Sequence, residues 1–392
     1  EFKPNSQLSA LIGVNGSGKT TILSAIRLLS ALLRPPEKWR TMEDKYASEC
    51  ELKMTYSWNG KKIIHSAKIY IITNERNEDE VIDSEHEWYM FDVTKSKKRF
   101  HVPLSLVVEY AKESNRQNHR VNESFFADYY FGRRKGGDKA YEAIKEVAKF
   151  IRGFNYYGAS QFVNPSLSPT SFEVESESGG VRRGISIGGH KKLLYDMYQM
   201  SRSGNCAYRE FLKIIGTEGI GLIENLEFGE IQTSSSKYNV MTGGSVRKIE
   251  LSNLLIIPRF KFLGNELSPN QLSEGTFKTI ALVFYLVTDN SSLLLLEEPE
   301  VCIHHGLLNS VMELIKIFSA EKQIIVSTHS ESVLDKLKIQ NVYVVKRDPA
   351  HGTMVKGVEN NMKAIELAAL KRYLQSEGGL GEYWRHGDLE NV

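Results

Sequence analysis

Eight residues near the start of the chain, Gly13 to Thr20, read Gly-Val-Asn-Gly-Ser-Gly-Lys-Thr, and each type has a use there if the ligand is a chain of phosphates. Glycines let successive backbone N–H groups turn toward phosphate oxygens, so Asn15, Gly16, Ser17 and Gly18 form a donor cradle. The Lys19 ammonium can reach the terminal phosphates and the Thr20 hydroxyl can ligate Mg²⁺. Thr21 continues into a helix whose positive end faces the same anion. The spacing fits the pattern Gly-x4-Gly-Lys-Ser/Thr, with an apolar strand ahead and a helix behind. The ligand this loop implies is a nucleotide with Mg²⁺.

Farther along, an apolar run from Leu293 to Leu296 ends in Glu297 and Glu298. A buried strand that stops at two acids delivers one carboxylate toward Mg²⁺, directly or through water, and the next toward an attacking water. Glu297 is therefore the candidate metal residue and Glu298 the candidate general base. Glu297 is one methylene longer than the Asp more common in such a site, and Mg²⁺ tolerates little geometric error. His329 directly follows a second apolar strand, 323–327, where a neutral imidazole could touch the γ-phosphate or the water. Leu272 to Thr276 (LSEGT) opens another helix: Ser273 can cap it and Gly275 permits close approach, so its start offers N–H donors and a hydroxyl to an anion. Taken singly, these features also have plainer readings as a solvent-facing strand end, a structural histidine and a helix cap. Taken in order with the loop, they suit a triphosphate site. Because the chain already carries its own phosphate loop, Ser273 is expected to serve the ATP of a neighbouring subunit. That predicts a homodimer or higher homo-oligomer with nucleotide sandwiched between two copies.

The elements that must hold these residues can be traced along the chain. Glu51 to His101 reads as short strands joined by Asn-Gly and charged turns, an antiparallel layer. Helical stretches follow at Glu123 to Tyr130 and Tyr141 to Ile151, separated by the basic loop 132–137, and a third helical block runs from Lys191 to Ile215. These blocks read as an inserted lobe, with a loop or linker at Gly179 to Gly189. Ile249 to Phe262 predicts two strands around Pro258, and Thr276 to Thr288 a buried helix. Strand, helix and strand then alternate through Ser292 to Leu296, Leu307 to Ser319 and 323–327, with a last strand at Asn341 to Lys346 and a helix from Ala364 to Gln375. Such alternation argues for a parallel sheet with its ligand at the carboxyl ends of the strands.

At 392 residues, 41% hydrophobic and 25% charged, the chain has the composition of an ordinary soluble protein, and its net charge of +2 demands no nucleic-acid partner. The longest apolar run, Ile280 to Val287, is far too short to span a bilayer, and no secretory signal is visible, which argues against a membrane partner. Cys50, Cys206 and Cys302 are too scattered for a disulfide framework or a zinc site. A cytoplasmic protein is expected. Only about a dozen residues precede the phosphate loop, so a strand upstream of Glu1, with the adenine contacts, is expected to be missing from this sequence.

In order and content, these motifs resemble the ABC-type ATPase heads of the SMC, RecF and OLD group. Gly13–Thr20 is similar to Walker A, Leu272–Thr276 to the signature, Leu293–Glu298 to Walker B, Glu300–His305 to the D-loop and His329 to the switch histidine. The resemblance implies that Gln161 is the Q-loop residue, linking Mg²⁺ to the inserted lobe. It also implies an α/β head with a mixed sheet and an antiparallel β layer: its N-terminal part in 1–110, a mostly helical insertion in 111–235 and its C-terminal part in 236–392. About 110 residues between Gln161 and Ser273 are too few for long coiled-coil arms, and the residues after His329 lack the paired acids of a Toprim nuclease. The C-terminal stretch 380–389 is similar to compact antiphage-defence ATPases of the PtuA type in Septu and retron systems and the AriA type in PARIS systems. That likeness implies an ATP hydrolase controlling a separate nuclease or toxin effector. Two other readings stand beside it: a RecF-like repair ATPase gripping DNA or RNA through basic clusters at 95–99, 133–135 and 182–183, and an ATP-binding scaffold of little turnover that holds a toxic partner.

Overall fold

Leu8 to Ile12 is buried at all five positions, the burial of a strand covered on both faces, and it leads straight into the phosphate loop. The computed structural model describes residues 2–32, 49–73, 80–91, 97–102, 139–158, 161–175, 189–240, 246–376 and 378–386. Strand β1 (Leu8–Ile12) precedes the phosphate-loop helix Lys19–Leu32. Next come β2 (Glu49–Trp58), β3 (Lys61–Thr73), β4 (Glu80–Phe91) and β5 (Lys97–Val102). A helix, Lys139–Arg152, leads to β6 (Phe154–Tyr157) and β7 (Phe172–Glu175), and helices Gly189–Arg202 and Cys206–Ile215 follow. The chain continues through β8 (Asn225–Val240), β9 (Val246–Phe262), β10 (Asn265–Leu267) and the helix Glu274–Thr288. Strand β11 (Leu293–Glu297), helix His305–Phe318 and β12 (Gln323–Thr328) complete the α/β run. Strands β13 (Val342–Asp348) and β14 (Gly352–Gly357) form a hairpin, and helices Ala364–Gln375 and Leu380–Arg385 lie near the end.

The central sheet has the order β14-β13-β1-β12-β11-β6. Its pairings are parallel except that of β14 with β13. Strands β2 to β5 make an antiparallel four-stranded layer, and β8, β9, β7 and β10 make a third, antiparallel sheet. The fold is thus mixed α/β, with a parallel-dominated sheet and a separate antiparallel layer, in agreement with the alternation in the sequence.

Period-2 alternation sorts the central strands between two cores. Leu294, Leu296, Ile324 and Val326 face one core, which contains residues of the helices Gly189–Arg202, Cys206–Ile215, Glu274–Thr288 and His305–Phe318. Leu293, Leu295, Ile325 and Leu11 face the other, against Leu23, Ile26 and Leu29 of the phosphate-loop helix, Ala143, Val147 and Ile151 of the next helix, and Tyr56, Ile63 and Ala67 of the antiparallel layer. Each buried Leu or Ile contributes roughly 1.5–3 kcal/mol, so the register of β11 is fixed from both sides.

Three local expectations need correction or qualification. Ile249 to Phe262 is not two strands, because β9 runs unbroken through Pro258. On one side Pro258 pairs opposite Phe228 of β8. On the other, β7 covers 253–256 and β10 covers 260–262, so the proline lies in the gap between them, where a missing N–H is accommodated. The helical block from Lys191 to Ile215 is two helices, divided at Gly204 (φ 63°) before Asn205 caps the second through the Ala207 N–H. Within the stretch expected to form a lobe, β6 joins the central sheet beside β11, and the two helices share a core with the helix Glu274–Thr288. The expected helix at Glu123 to Tyr130 and the basic clusters 133–135 and 182–183 lie outside the described residues.

Phe284 locks the second of these helices to the Glu274–Thr288 helix, with its ring centroid 5.2 Å from Phe211 and 5.3 Å from Tyr285 in edge-on geometry. Replacing Phe284 with Ala is expected to cost about 3–5 kcal/mol, read as a lowered midpoint in urea denaturation; an unchanged midpoint would contradict this packing.

Candidate functional site

The parallel register brings the sequence motifs to one edge of the sheet. Ile12 at the end of β1 pairs with Thr328 at the end of β12, and Glu297 at the end of β11 pairs with Ser327. The phosphate loop, Glu297, Glu298 and His329 therefore leave three adjacent strands on the same side, where an α/β sheet binds its ligands.

In the loop, the Lys19 ammonium donates to the carbonyls of Gly13 at 2.7 Å and Val14 at 3.2 Å. Burial pushes Lys19 below its usual value, and Glu298, Glu300 and Glu297 pull it back. Val14, Asn15 and Gly16 form an exposed rim, and Thr20 and Thr21 are exposed at the helix start. Behind the loop stands the β13–β14 hairpin. Thr353 donates its hydroxyl to the Ser17 carbonyl at 3.3 Å, and Gly18 has φ 104° with Thr353 so close that any Cβ would strike it. Glycine is required there on both counts.

Glu297 is gripped at both oxygens: the Thr20 hydroxyl donates to Oε1 and the Tyr156 hydroxyl to Oε2. Glu298 continues the ladder through its N–H to the Ser327 carbonyl at 2.9 Å, but its φ of 43° is left-handed. His329 Nδ1 lies 3.3 Å from Glu298 Oε1. Behind them Glu300 accepts from the Thr328 hydroxyl and from the His329 N–H at 3.3 Å. Its side chain is only 8% exposed.

LSEGT is arranged as expected for a cap, with Ser273 Oγ accepting from the Thr276 N–H at 3.2 Å. Gly275 faces the segment after Glu300: a Cβ there would stand 2.6 Å from the Cys302 carbonyl. Three residues on, the fully buried Lys278 donates to the Val301 carbonyl at 2.6 Å, and burial lowers its pKa. Ser273 is exposed, and among the described residues no hydrogen bond joins 273–276 to the phosphate loop of the same chain.

The structure brings Lys19, Thr20, Glu297, Glu298 and His329 together. Among the described residues no hydrogen bond joins Gln161 to them; its side-chain oxygen accepts from the Gly158 N–H at 3.4 Å. Sequence reasoning missed Tyr156, Thr353 and Lys278. The first two act across strands and carry no motif; the third is a lysine in an otherwise apolar helix run, a signal that could have been noticed.

The residues fit a triphosphate with Mg²⁺ on the structure's own terms. Ser17 Oγ is buried in the loop without a hydrogen-bond partner among the described residues. Thr20 and Glu297 supply the hard oxygen donors that Mg²⁺ prefers. They are the residues that would hold the ion, and Lys19 the one that would meet the phosphates. Among the described residues no group of three or more His, Cys, Asp or Glu could hold a metal ion. No helix among them is long and apolar enough to cross a membrane.

Residues 253–335, which contain LSEGT, β11 and His329, match a family described as "AAA domain, putative AbiEii toxin, Type IV TA system". No curated protein matches the chain. Among solved structures, the chain is similar to an Smc head bound to the C-winged helix domain of ScpA, at 15% identity and a TM-score of 0.43, over 92% of this chain and 93% of that one. It is also similar to the SMC head domain from Thermotoga maritima, at 11% identity and a TM-score of 0.37, over 91% and 92%. A third is the Smc head domain of Pyrococcus furiosus with an extended coiled coil, bound to the C-terminal domain of ScpA, at 12% and 0.39 over 95% and 94%. At these identities and scores, the likenesses bear on no residue's role.

Burial pushes the Glu300 carboxyl above its usual range, opposed by the bonds from Thr328 and His329. A raised folded value means that the group's contribution to stability is present at low pH and is lost as pH rises through that value. Glu300→Gln keeps an acceptor for Thr328 and the His329 N–H but cannot ionise. Relative to the parent it is expected to gain stability as pH rises above the ordinary carboxylate range, measured by thermal melts at acid and at neutral pH; a difference independent of pH would refute a raised carboxyl at Glu300.

Proposed function

We propose that this chain is an ATP-binding and ATP-hydrolysing head that works as a pair, with each nucleotide enclosed between the phosphate loop of one copy and Ser273 of the other. The observation that carries the reading is the convergence of Lys19, Thr20, Glu297, Glu298 and His329 at the carboxyl ends of three neighbouring strands.

In this reading the loop N–H groups and Lys19 bind the β- and γ-phosphates of ATP. Mg²⁺, when bound, neutralises charge on those phosphates. Glu298 accepts a proton from a water that attacks the γ-phosphorus in line as the bond to the bridging oxygen breaks, giving ADP and phosphate. His329, within reach of Glu298, orients that carboxylate or the water. Gln161 would join the metal shell only after giving up its bond to Gly158. The exposed Ser273 and the N-terminus of its helix suit a phosphate presented by a second copy.

ATP turnover in this pair controls a separate effector of the nuclease or toxin class in antiphage defence. Support comes from the likeness of the motifs and C-terminal stretch to compact defence ATPases, and from the toxin–antitoxin description of the family matched at 253–335.

Mixing separates a paired site from a self-contained one. Lys19→Ala and Ser273→Arg should each lower ATP turnover by about 10²–10³-fold, yet an equimolar mixture should recover a measurable fraction, because one composite site per mixed pair is intact. Glu298→Gln should keep ATP binding and lose turnover. Recovery failing in mixtures that still associate would reject the shared site, and undiminished turnover in Glu298→Gln would reject the base.

A further inference from the structure

Tyr156 lies on β6, next to β11, in register with Leu295. Its hydroxyl donates to Glu297 Oε2 while the Thr20 hydroxyl donates to Oε1, so the two oxygens of one carboxylate are fixed from a neighbouring strand and from the phosphate-loop helix. The Tyr156 ring is held in turn. The Arg27 guanidinium sits 4.9 Å from its centroid, on the same helix as Thr20. Gly158 leaves room for it: a Cβ there would come within 2.9 Å of the Tyr156 hydroxyl oxygen. The phosphate-loop helix thus reaches Glu297 twice, directly through Thr20 and indirectly through Arg27 and Tyr156.

We propose that Tyr156 is a positioning residue for the Mg²⁺ site, and that it is what makes Glu rather than Asp workable at position 297. The extra methylene of Glu carries the carboxylate past the point an Asp would reach and adds a rotatable bond, which on its own would spread the oxygens over several positions. The Tyr156 hydroxyl removes that freedom by holding the outer oxygen, leaving the inner one beside Thr20, where the ion would bind. Groups that orient a metal ligand in this way typically govern about 10–100-fold in metal affinity. The inference rests on the reading of Thr20 and Glu297 as the metal pair.

The test is binding, not turnover. A fluorescent non-hydrolysable ATP analogue is titrated against the full chain in EDTA and at increasing Mg²⁺. Tyr156→Phe, which keeps the ring under Arg27, is expected to keep a single cooperative melt and the EDTA affinity while raising the Mg²⁺ concentration for half-maximal tightening by about tenfold or more. Glu297→Asp should raise that concentration as well, and adding Tyr156→Phe to it should change nothing further, since the shorter carboxylate no longer meets the hydroxyl. Rescue of the Mg²⁺ response by the tyrosine alone, in the Glu297 background alone, is a pattern that a merely structural tyrosine does not produce. If Tyr156→Phe leaves the Mg²⁺ response as in the parent while Glu297→Gln abolishes it, the positioning role is wrong and the metal reading stands. If Glu297→Gln also leaves it intact, both are wrong.

Discussion

The four leucines of β11 point alternately into two separate cores, and that constraint determines the rest of the molecule. With both faces of the strand committed to apolar packing, a carboxylate cannot appear before the strand ends, and it must appear where the strand ends. Glu297 and Glu298 occupy the first positions released from that packing. The same holds for β1, whose buried run gives way to the phosphate loop, and for β12, which gives way to His329. Three strands in parallel register release their polar residues at one level, and the site is the sum of those releases.

The helix carrying Ser273 is joined to the segment that follows β11 of its own chain. Gly275 abuts the Cys302 carbonyl, Lys278 holds the Val301 carbonyl, and Glu300 between β11 and the next helix holds Thr328 and His329. A buried ammonium and a buried carboxyl are each costly out of water; the Lys278 ammonium is offset by the Val301 carbonyl, and one Glu300 oxygen by the Thr328 hydroxyl and the His329 N–H. The segment 300–302 therefore cannot shift without disturbing both the Ser273 helix and His329. In the proposed pair of heads, this segment would tie the helix carrying Ser273 to Glu298 and His329 of the same chain.

Much of this was legible in the sequence, and the legible part has a common physical character. Apolar runs of strand length, the Gly-rich loop, the Ser273 cap and the acids after Leu296 are set by neighbours a few residues away, so local pattern suffices. The antiparallel layer from Glu51 to His101 was readable for the same reason. What pattern could not reach depends on contacts across the chain. Thr353 supports the loop from more than three hundred residues away, Tyr156 meets Glu297 only because β6 pairs with β11, and Pro258 is tolerated in β9 only because β7 and β10 leave a gap at its edge. Gln161 accepts from the Gly158 N–H, a contact its place in the sequence does not specify.

Glu298 and Cys302 are not glycine, yet both adopt left-handed backbone, with φ of 43° and 65°. Such residues cost of order 1–3 kcal/mol each and persist only where their surroundings over-determine them. At Glu298 the determinants are visible: its N–H must extend the ladder to the Ser327 carbonyl, and its side chain must turn back toward His329. Continuing in extended conformation would meet the first demand and send the carboxylate to the opposite face. Glycine would relieve the strain and remove the carboxylate. The left-handed turn reconciles a hydrogen bond inherited from the sheet with a side chain directed at His329, so the strain at Glu298 follows from placing that carboxylate one residue beyond a strand buried on both faces.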